Sequence, residues 1–226
     1  MATIAENLNA IRAQLASAVE RAGRKPEDVE LLAVSKTFPV EAIQEAVEAG
    51  QTLFGENKPQ ELLAKLPALS SKLRWHLIGH LQSNKVRKVL PAVAAIHSVD
   101  SLDLAKDINR IATELGLFPK VYLEINVAVE STKFGFTQEA VREQLEALYA
   151  LDRLEIQGLM CIPPFSANAE DGRRYFVALR TLRDELEKQG GAPLPKLSMG
   201  MSHDFAIAVE EGSTIVRVGS AIFGGR

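Results

Sequence analysis

The feature that most restricts the fold of this chain is an alternation of eight short apolar runs with stretches of helical periodicity. The runs are rich in β-branched residues, which is typical of buried strands. We predict strands over residues 29–35, 53–54, 73–77, 94–99, 120–126, 154–160, 196–199 and 214–218. Most of the stretches between them repeat apolar residues every three or four positions, as amphipathic helices do. The alternation indicates a parallel α/β fold.

The helical stretches carry ordinary start and stop signals. Asp100 or Ser101 is predicted to cap the fifth helix, which Gly116 follows, and Thr137 is predicted to cap the sixth. The first helix precedes all the strands and has one apolar stripe. The predicted helices cover residues 4–22, 39–50, 59–66, 83–90, 101–115, 137–151, 169–189 and 205–211.

The number of strands favours a closed (β/α)8 TIM barrel over an open sheet. A flavodoxin-like sheet needs only about five strands, and a Rossmann sheet should carry a glycine-rich turn after an early strand. Residues 29–38 contain no glycine. The length of 226 residues matches a barrel of about 200–250 residues. We therefore expect residues 1–226 to form a single barrel domain with an extra N-terminal helix.

Composition and charge argue against several functional classes. The 26 basic and 29 acidic residues give a net charge of −3 without a long basic tract, so we expect no nucleic-acid partner. The apolar runs are far shorter than the ~20 residues of a membrane span, and residues 1–10 do not resemble a signal peptide. One cysteine, Cys161, and four dispersed histidines offer no metal site, and we expect a cytoplasmic protein.

Lys36 stands just after the first predicted strand, where active-site residues of such barrels lie. Strand alternation places it on the same side as Leu32 and Val34. If that side is the barrel interior, desolvation would lower the pKa of the amine and favour Schiff-base chemistry. The alternative is a solvated lysine at a strand end.

The segments after the last two predicted strands suit a phosphate group. Ser198 lies near the end of one strand, and Met201 and Ser202 follow it. Gly219 and Ser220 follow the other strand. Both segments offer small residues, hydroxyls and backbone N–H groups near helix starts, which bind phosphate. Barrel phosphate sites commonly lie in these loops. The alternative is that the glycines only permit tight turns.

Short segments spread in order along nearly the whole chain carry a family resemblance. They read AVSKT at 33–37, FGEN at 54–57, WHLIG at 75–79, LQSNK at 81–85, KFGF at 133–136, GLM at 158–160, LSMGMS at 197–202, GST at 212–214 and IFG at 222–224. Together they resemble the pyridoxal phosphate homeostasis proteins, the YggS/PROSC family. None of the segments is specific alone, but their order and number are.

The resemblance implies a fold-type III barrel like the N-terminal domain of alanine racemase, binding pyridoxal 5′-phosphate (PLP). Lys36 would hold the cofactor as a Schiff base, and Ser202, Gly219 and Ser220 would contact its phosphate. Arg217 would face the pyridine nitrogen.

Four further residues complete the predicted cofactor site: Asn57, Met160, Ser198 and Met201. For Asn57, capping of the helix that follows is an equal alternative. His80 stands where the family pattern leads us to expect proline, and Lys58 and Pro59 also depart from it. These departures affect only the rim of the site.

A protein that handles the cofactor without turnover is the leading hypothesis for function. Arginine keeps its proton, so a ring nitrogen facing Arg217 stays unprotonated and the ring is a weaker electron sink. Racemases need a second acid/base opposite the lysine, and none of Tyr122, Tyr149 and Tyr175 follows the eighth predicted strand. We therefore expect a role in PLP homeostasis and amino-acid balance.

Two alternatives stay open at this point. The first is a small fold-type III enzyme, racemase-like, that uses Lys36 as its sole base. The second is a regulatory module whose exposed helices bind another protein. Expected partners are PLP and either PLP-dependent apoenzymes or a regulatory protein, and the resemblance implies a monomer.

Overall fold

Eight parallel strands close into a barrel in the computed structural model, which describes residues 2–130 and 132–225. Each strand pairs with the next along the chain, and the first pairs with the last. The predicted barrel is therefore confirmed. The strands are β1 Glu30–Val34, β2 Leu53–Glu56, β3 Arg74–Leu77, β4 Ala95–Val99, β5 Lys120–Glu124, β6 Glu155–Met160, β7 Lys196–Met201 and β8 Ile215–Val218.

Helices surround the strands, and one helix precedes the first strand. They are α1 Ile4–Arg21, α2 Val40–Glu48, α3 Pro59–Lys65, α4 Val86–Val89, α5 Leu102–Leu115, α6 Gln138–Glu143, α7 Leu145–Tyr149, α8 Arg173–Gly190, α9 Phe205–Glu210 and α10 Ser220–Phe223. The helix predicted over 137–151 is two helices, α6 and α7, joined at Gln144. The helix predicted over 83–90 is one turn, α4, between two 3-10 turns. The helix α10 lies outside the predicted set.

The predicted caps explain where the helices begin and end. The Ser101 hydroxyl accepts a hydrogen bond from Leu104 N and begins α5. Gly116 ends the same helix in the left-handed conformation, at φ 68°. The Thr137 hydroxyl accepts from Ala140 N and begins α6. These local signals act within one turn, which is why the sequence alone locates them.

The barrel interior contains one apolar cluster and one row of polar side chains. The apolar cluster consists of Leu32, Val34, Leu53, Ile78, Ala95, Tyr122, Met160 and Ile215. Because Leu32 and Val34 belong to it, the side of β1 predicted for Lys36 is the interior side. The polar row consists of His76, His97, Ser198 and Arg217, all buried.

Two larger apolar layers lie between the strands and the helices. The helix α1 belongs to one of them through Leu8, Ile11 and Leu15. Burying each such side chain stabilises the fold by roughly 2 kcal/mol. Asn7 Nδ2 donates to Ile222 O at 2.9 Å, so α1 also braces the end of the chain that follows β8. In the described ranges, no helix is long and apolar enough to cross a membrane.

Candidate functional site

The loop that carries Lys36 begins directly after β1 and has a left-handed residue next to the lysine. Thr37 has φ 68°, a conformation that is rare for a β-branched residue. Its backbone N–H donates to Glu61 Oε2 at 2.9 Å. Before the lysine, Ser35 Oγ donates to Glu56 Oε1 at 2.7 Å. Both neighbours of Lys36 are thus tied to carboxylates, which offsets the backbone strain and limits the positions of the lysine.

A buried ion pair supports this loop from outside the barrel. Lys65 Nζ lies 2.6 Å from Glu56 Oε1 and donates to Ser35 O at 2.9 Å. Glu56 is fully buried, and its burial raises the pKa of the carboxyl although Lys65 and Ser35 act in the opposite direction. Its second oxygen, Oε2, accepts no hydrogen bond from the described residues. Lys65 is therefore the main compensation for the charge of Glu56.

Backbone amides form the side of the mouth next to the Lys36 loop. The Ser202 hydroxyl accepts from Gly219 N at 3.2 Å and from Ala221 N at 3.5 Å. We call Ser202, Gly219, Ser220 and Ala221 the amide cup. A Cβ on Gly219 would lie 3.2 Å from Val34 O, so the cup packs against the end of β1. The cup and the Lys36 loop therefore meet, as the neighbouring positions of strands one and eight require.

The segment before the cup depends on a second glycine. Gly200 has φ 91°, and a Cβ there would lie 2.6 Å from Ala208 Cβ. The neighbouring Met201 N donates to Asp204 Oδ1 at 2.7 Å. The β7 strand is irregular between Ser198 and Met201, which turns the chain toward α9. Glycine at position 200 is thus required by both backbone conformation and close packing.

Arg217 lies at the floor of the mouth and is 4% exposed. Its Nη1 donates to Ser198 Oγ at 2.6 Å and its Nη2 to Cys161 O at 2.8 Å. Burial lowers the pKa of the guanidinium, but an arginine starts so high that it stays protonated. The site therefore has a fixed positive charge beneath the mouth. Burial also raises the pKa of Cys161 to about 12, which agrees with a packed thiol more than with a reactive one.

Glu124 is a functional candidate that sequence reasoning missed. It ends β5 on the side of Tyr122, which faces the interior, and β5 stands opposite β1 in an eight-stranded barrel. Burial raises the pKa of its carboxyl to about 7, and Asp100 adds to this, whereas Arg217 opposes it. The strand predicted from the sequence runs to Asn126, two residues beyond the end of β5. Asn126 instead organises the next loop, donating from Nδ2 to Glu130 O at 2.8 Å.

The other predicted site residues occupy different depths. Met160 is fully buried inside the barrel, Asn57 follows β2 and is half-buried, and Ser220 is exposed. Ser198 is fully buried beneath Arg217. The capping alternative for Asn57 is wrong, because Lys58 is the N-cap of α3.

The histidines are divided between the interior and the rim. His80 Nδ1 lies 2.9 Å from Asp100 Oδ2, and its ring stacks on Phe134. The exposed His203 lies beside the ring of Phe165. Among residues 2–130 and 132–225, no group of three or more His, Cys, Asp or Glu side chains could hold a metal ion. The mouth instead combines an amine, backbone amides and a buried guanidinium, which fits an anionic cofactor that has a carbonyl group.

Comparison with known proteins agrees with this fold. Residues 7–226 match the family model described as alanine racemase, N-terminal domain, which defines the class of barrel. The chain belongs to this family, and within it to the pyridoxal phosphate homeostasis proteins. The resemblance predicted from the sequence motifs is thus confirmed.

Two relatives illustrate how far the similarity extends. The pyridoxal phosphate homeostasis protein of Aquifex aeolicus (strain VF5) is 45% identical, over 98% of this chain and 97% of its own length. The protein of the same name from Escherichia coli (strain K12) is 39% identical, over 100% of this chain and 98% of its own length.

Solved structures extend the comparison to three dimensions. PipY of Synechococcus elongatus PCC7942, in the structure with PLP bound, is 42% identical with a TM-score of 0.86, covering 98% of this chain and 100% of PipY. Alanine racemase of Clostridium difficile 630 has a TM-score of 0.74 at 18% identity, covering 95% of this chain and 56% of the racemase. At that identity the racemase shows a shared fold alone.

Proposed function

We propose that this protein binds PLP at the C-terminal mouth of the barrel and acts in PLP homeostasis without catalytic turnover. The observation that carries the proposal is the contact between the two sides of the mouth. The amide cup packs on Val34, two residues before Lys36, so an amine and phosphate donors stand within one small site. The names of the relatives and the PLP-bound structure of PipY support the same cofactor.

Each residue has a distinct role in this proposal. Lys36 supplies the amine for reversible covalent attachment, and the amide cup holds the phosphate. Arg217 would donate to the ring nitrogen when the cofactor is bound. PLP, when bound, supplies an aldehyde and an electron-withdrawing ring. Contacts of Asn57, Met160, Ser198 and Met201 with the cofactor stay predictions.

The groups around the expected position of the cofactor ring disfavour turnover. An arginine partner leaves the ring nitrogen unprotonated, which weakens the ring as an electron sink. No tyrosine is placed to act as the second base. Tyr122 packs inside the barrel against the ring of His97, whereas Tyr149 and Tyr175 lie on α7 and α8. Glu124 is the carboxyl across the mouth, so turnover should be tested directly.

The absorption spectrum of the purified protein tests the proposal. With PLP we expect an absorption band at about 420 nm, where side chains do not absorb, and borohydride should fix the cofactor onto Lys36. Lys36→Ala should abolish the band. Lys58→Ala is the matched control, because Lys58 is an exposed lysine nearby that pairs with Glu61, and it should keep the band. A wild-type protein that takes up no PLP would contradict the proposal.

Turnover is a separate measurement on the same protein. Incubation of the PLP-loaded protein with amino acids should leave their configuration and carboxyl groups unchanged. Sustained racemisation or decarboxylation that disappears in Lys36→Ala would favour the enzyme alternative. Delivery to apoenzymes, a regulatory protein partner, a monomeric state and a cytoplasmic location stay predictions.

A further inference from the structure

The polar row inside the barrel forms one continuous line of hydrogen bonds, which we call the polar line. Arg217 Nη1 donates to Ser198 Oγ at 2.6 Å. Ser198 Oγ lies 2.8 Å from His97 Nδ1, and His97 Nε2 lies 2.9 Å from His76 Nδ1. Four strands, β8, β7, β4 and β3, contribute one member each. All four side chains are at most 5% exposed, so the line is buried inside the barrel.

The chemistry of the four groups gives the line a direction. A guanidinium has no acceptor, so Ser198 Oγ must accept from Arg217. The Ser198 hydroxyl hydrogen is then available for His97 Nδ1. In the reverse order Ser198 would accept twice, and its hydroxyl hydrogen would have no acceptor among the contacts of residues 2–130 and 132–225. His97 therefore carries its hydrogen on Nε2 and donates to His76 Nδ1.

This direction requires both histidines to be neutral, and their burial favours the neutral rings. Burial lowers the pKa of His76 to about 4 and that of His97 well below its ordinary value. Electrostatic interactions with His76 and with Arg217 also lower the pKa of His97. Facing His76 are Glu30, which raises its pKa, and Arg74 and Lys120, which lower it. A neutral imidazole accepts a hydrogen bond at one nitrogen and donates one at the other. The hydrogen bonds therefore run in the same direction on both sides of each ring.

We propose that His97 and His76 are positioning residues for the cofactor ring, acting through Ser198 to hold Arg217 as a fixed donor. This inference rests on the proposed binding of PLP. Arg217 has two acceptors, Ser198 Oγ and Cys161 O, and both orient the planar guanidinium. If the line is broken, Ser198 can rotate and Arg217 loses one of these anchors. The hydrogen bond to the ring nitrogen then weakens.

The far end of the polar line is open to small molecules. His76 lines a cavity of about 440 Å³ at the N-terminal end of the barrel, together with Glu30, Arg74, Leu90 and Tyr122. A small molecule that enters this cavity can replace the His76 imidazole if the side chain is removed. The cavity therefore permits a chemical-rescue experiment from the side of the barrel opposite the cofactor.

The first test needs no cofactor. Nitrogen-15 NMR of the imidazole rings in the PLP-free protein should show His97 and His76 neutral at pH 7, each with its hydrogen on Nε2. A hydrogen on Nδ1 of His97, or a charged ring at pH 7, would overturn the proposal. This measurement uses the wild-type chain, so it decides even if the variants below do not fold.

The second test compares two truncations at the same cavity. His76→Ala should weaken PLP binding about threefold to tenfold, since one hydrogen bond of the line is lost, and should shift the absorption maximum of the bound cofactor. Imidazole added to the buffer should restore both. Leu90→Ala is the matched control, because Leu90 lines the cavity without belonging to the line. It should leave the spectrum unchanged and show no response to imidazole.

The outcomes separate this inference from the proposed function. If wild-type protein binds PLP but His76→Ala behaves like Leu90→Ala, the positioning role is wrong and PLP binding stands. If wild-type protein binds no PLP, the proposed function fails. A spectral change that imidazole reverses, together with the expected tautomers, supports the polar line.

Discussion

The Lys36 loop and the amide cup meet at one mouth, but different interactions hold them in place. Charged side chains, Glu56 and Glu61, accept from the residues on either side of Lys36. The cup consists of backbone N–H groups around one hydroxyl, that of Ser202. The segment before the cup requires glycine at position 200. One side of the site is thus stabilised by charge and the other by close backbone packing.

This difference determines how each side should respond to change. Interactions between buried charges vary with pH, and they are costly to break when one partner stays behind. Backbone packing around a glycine does not titrate, and it fails when a side chain occupies space that another atom fills. Substitutions on the two sides should therefore differ in pH dependence as well as in size.

The largest effect is expected from Lys65→Met. Methionine keeps the length of the side chain, but it leaves Glu56 buried without its cation and frees Ser35 O. Removing one partner of a buried pair costs about 3–5 kcal/mol. Urea or thermal unfolding of the PLP-free protein measures this loss in the free energy of unfolding.

A double variant provides the control for Lys65→Met. Glu56→Gln combined with Lys65→Met removes both charges, so it should be clearly more stable than Lys65→Met alone. If the two unfold with equal free energies, the uncompensated charge of Glu56 is not the cause, and lost packing explains the effect.

The second effect is expected from Gly200→Ala on the cup side. The new Cβ would lie 2.6 Å from Ala208 Cβ at a backbone φ of 91°, so both strain and overlap oppose it. We expect a loss of about 3 kcal/mol. Gly116→Ala is the matched control, since Gly116 has φ 68° and no atom within 4 Å of a new Cβ. It should cost only about 1 kcal/mol. Equal losses would mean that packing at Gly200 contributes nothing.

The fold was predictable from sequence because its signals are local. Strand and helix periodicity repeat within a few residues, and the caps at Ser101 and Thr137 act within one turn. The alternation of eight such units leaves few arrangements besides a barrel. The break between α6 and α7 was not predicted, because the apolar pattern continues across Gln144.

The site was predictable only where strand ends reveal it. The positions of Lys36 and Arg217 follow from strand order. The pair of Glu56 with Lys65 joins β2 to the end of α3, and the polar line joins four strands, so neither has a signature in the sequence. Glu124 was missed through a strand end misplaced by two residues, although the alternation from Tyr122 could have indicated it.

The third prediction concerns how the first two depend on pH. In Lys65→Met, Glu56 loses the hydrogen bond and the charge of Lys65, both of which lower its pKa, so the folded-state pKa lies further above the ordinary value of 4.5. A carboxyl with a raised pKa contributes stability that is present below the unfolded pKa and is lost as pH rises through the folded pKa. The deficit of Lys65→Met should therefore be smaller at pH 5 than at pH 7. Unfolding curves of wild type and variant at both pH values measure it.

The Gly200→Ala deficit provides the contrast in the same experiment. This substitution removes no titratable group, so we expect its deficit to be the same at pH 7 and pH 5. If the two deficits change in parallel, the division between a charge-stabilised side and a packing-stabilised side is wrong.

The smallest effect is expected from Ser202→Ala in the cup itself. The hydroxyl accepts from Gly219 N and Ala221 N, so its removal takes away one side-chain group from a site that otherwise consists of backbone. Because the amides stay in place, the free energy of unfolding should change by less than about 1 kcal/mol. PLP affinity should fall about threefold to tenfold, and Ser202→Thr should restore most of it. Spectroscopic titration with PLP measures the affinity. A loss as complete as that of Lys36→Ala would show that the hydroxyl, and not the backbone, forms the phosphate site.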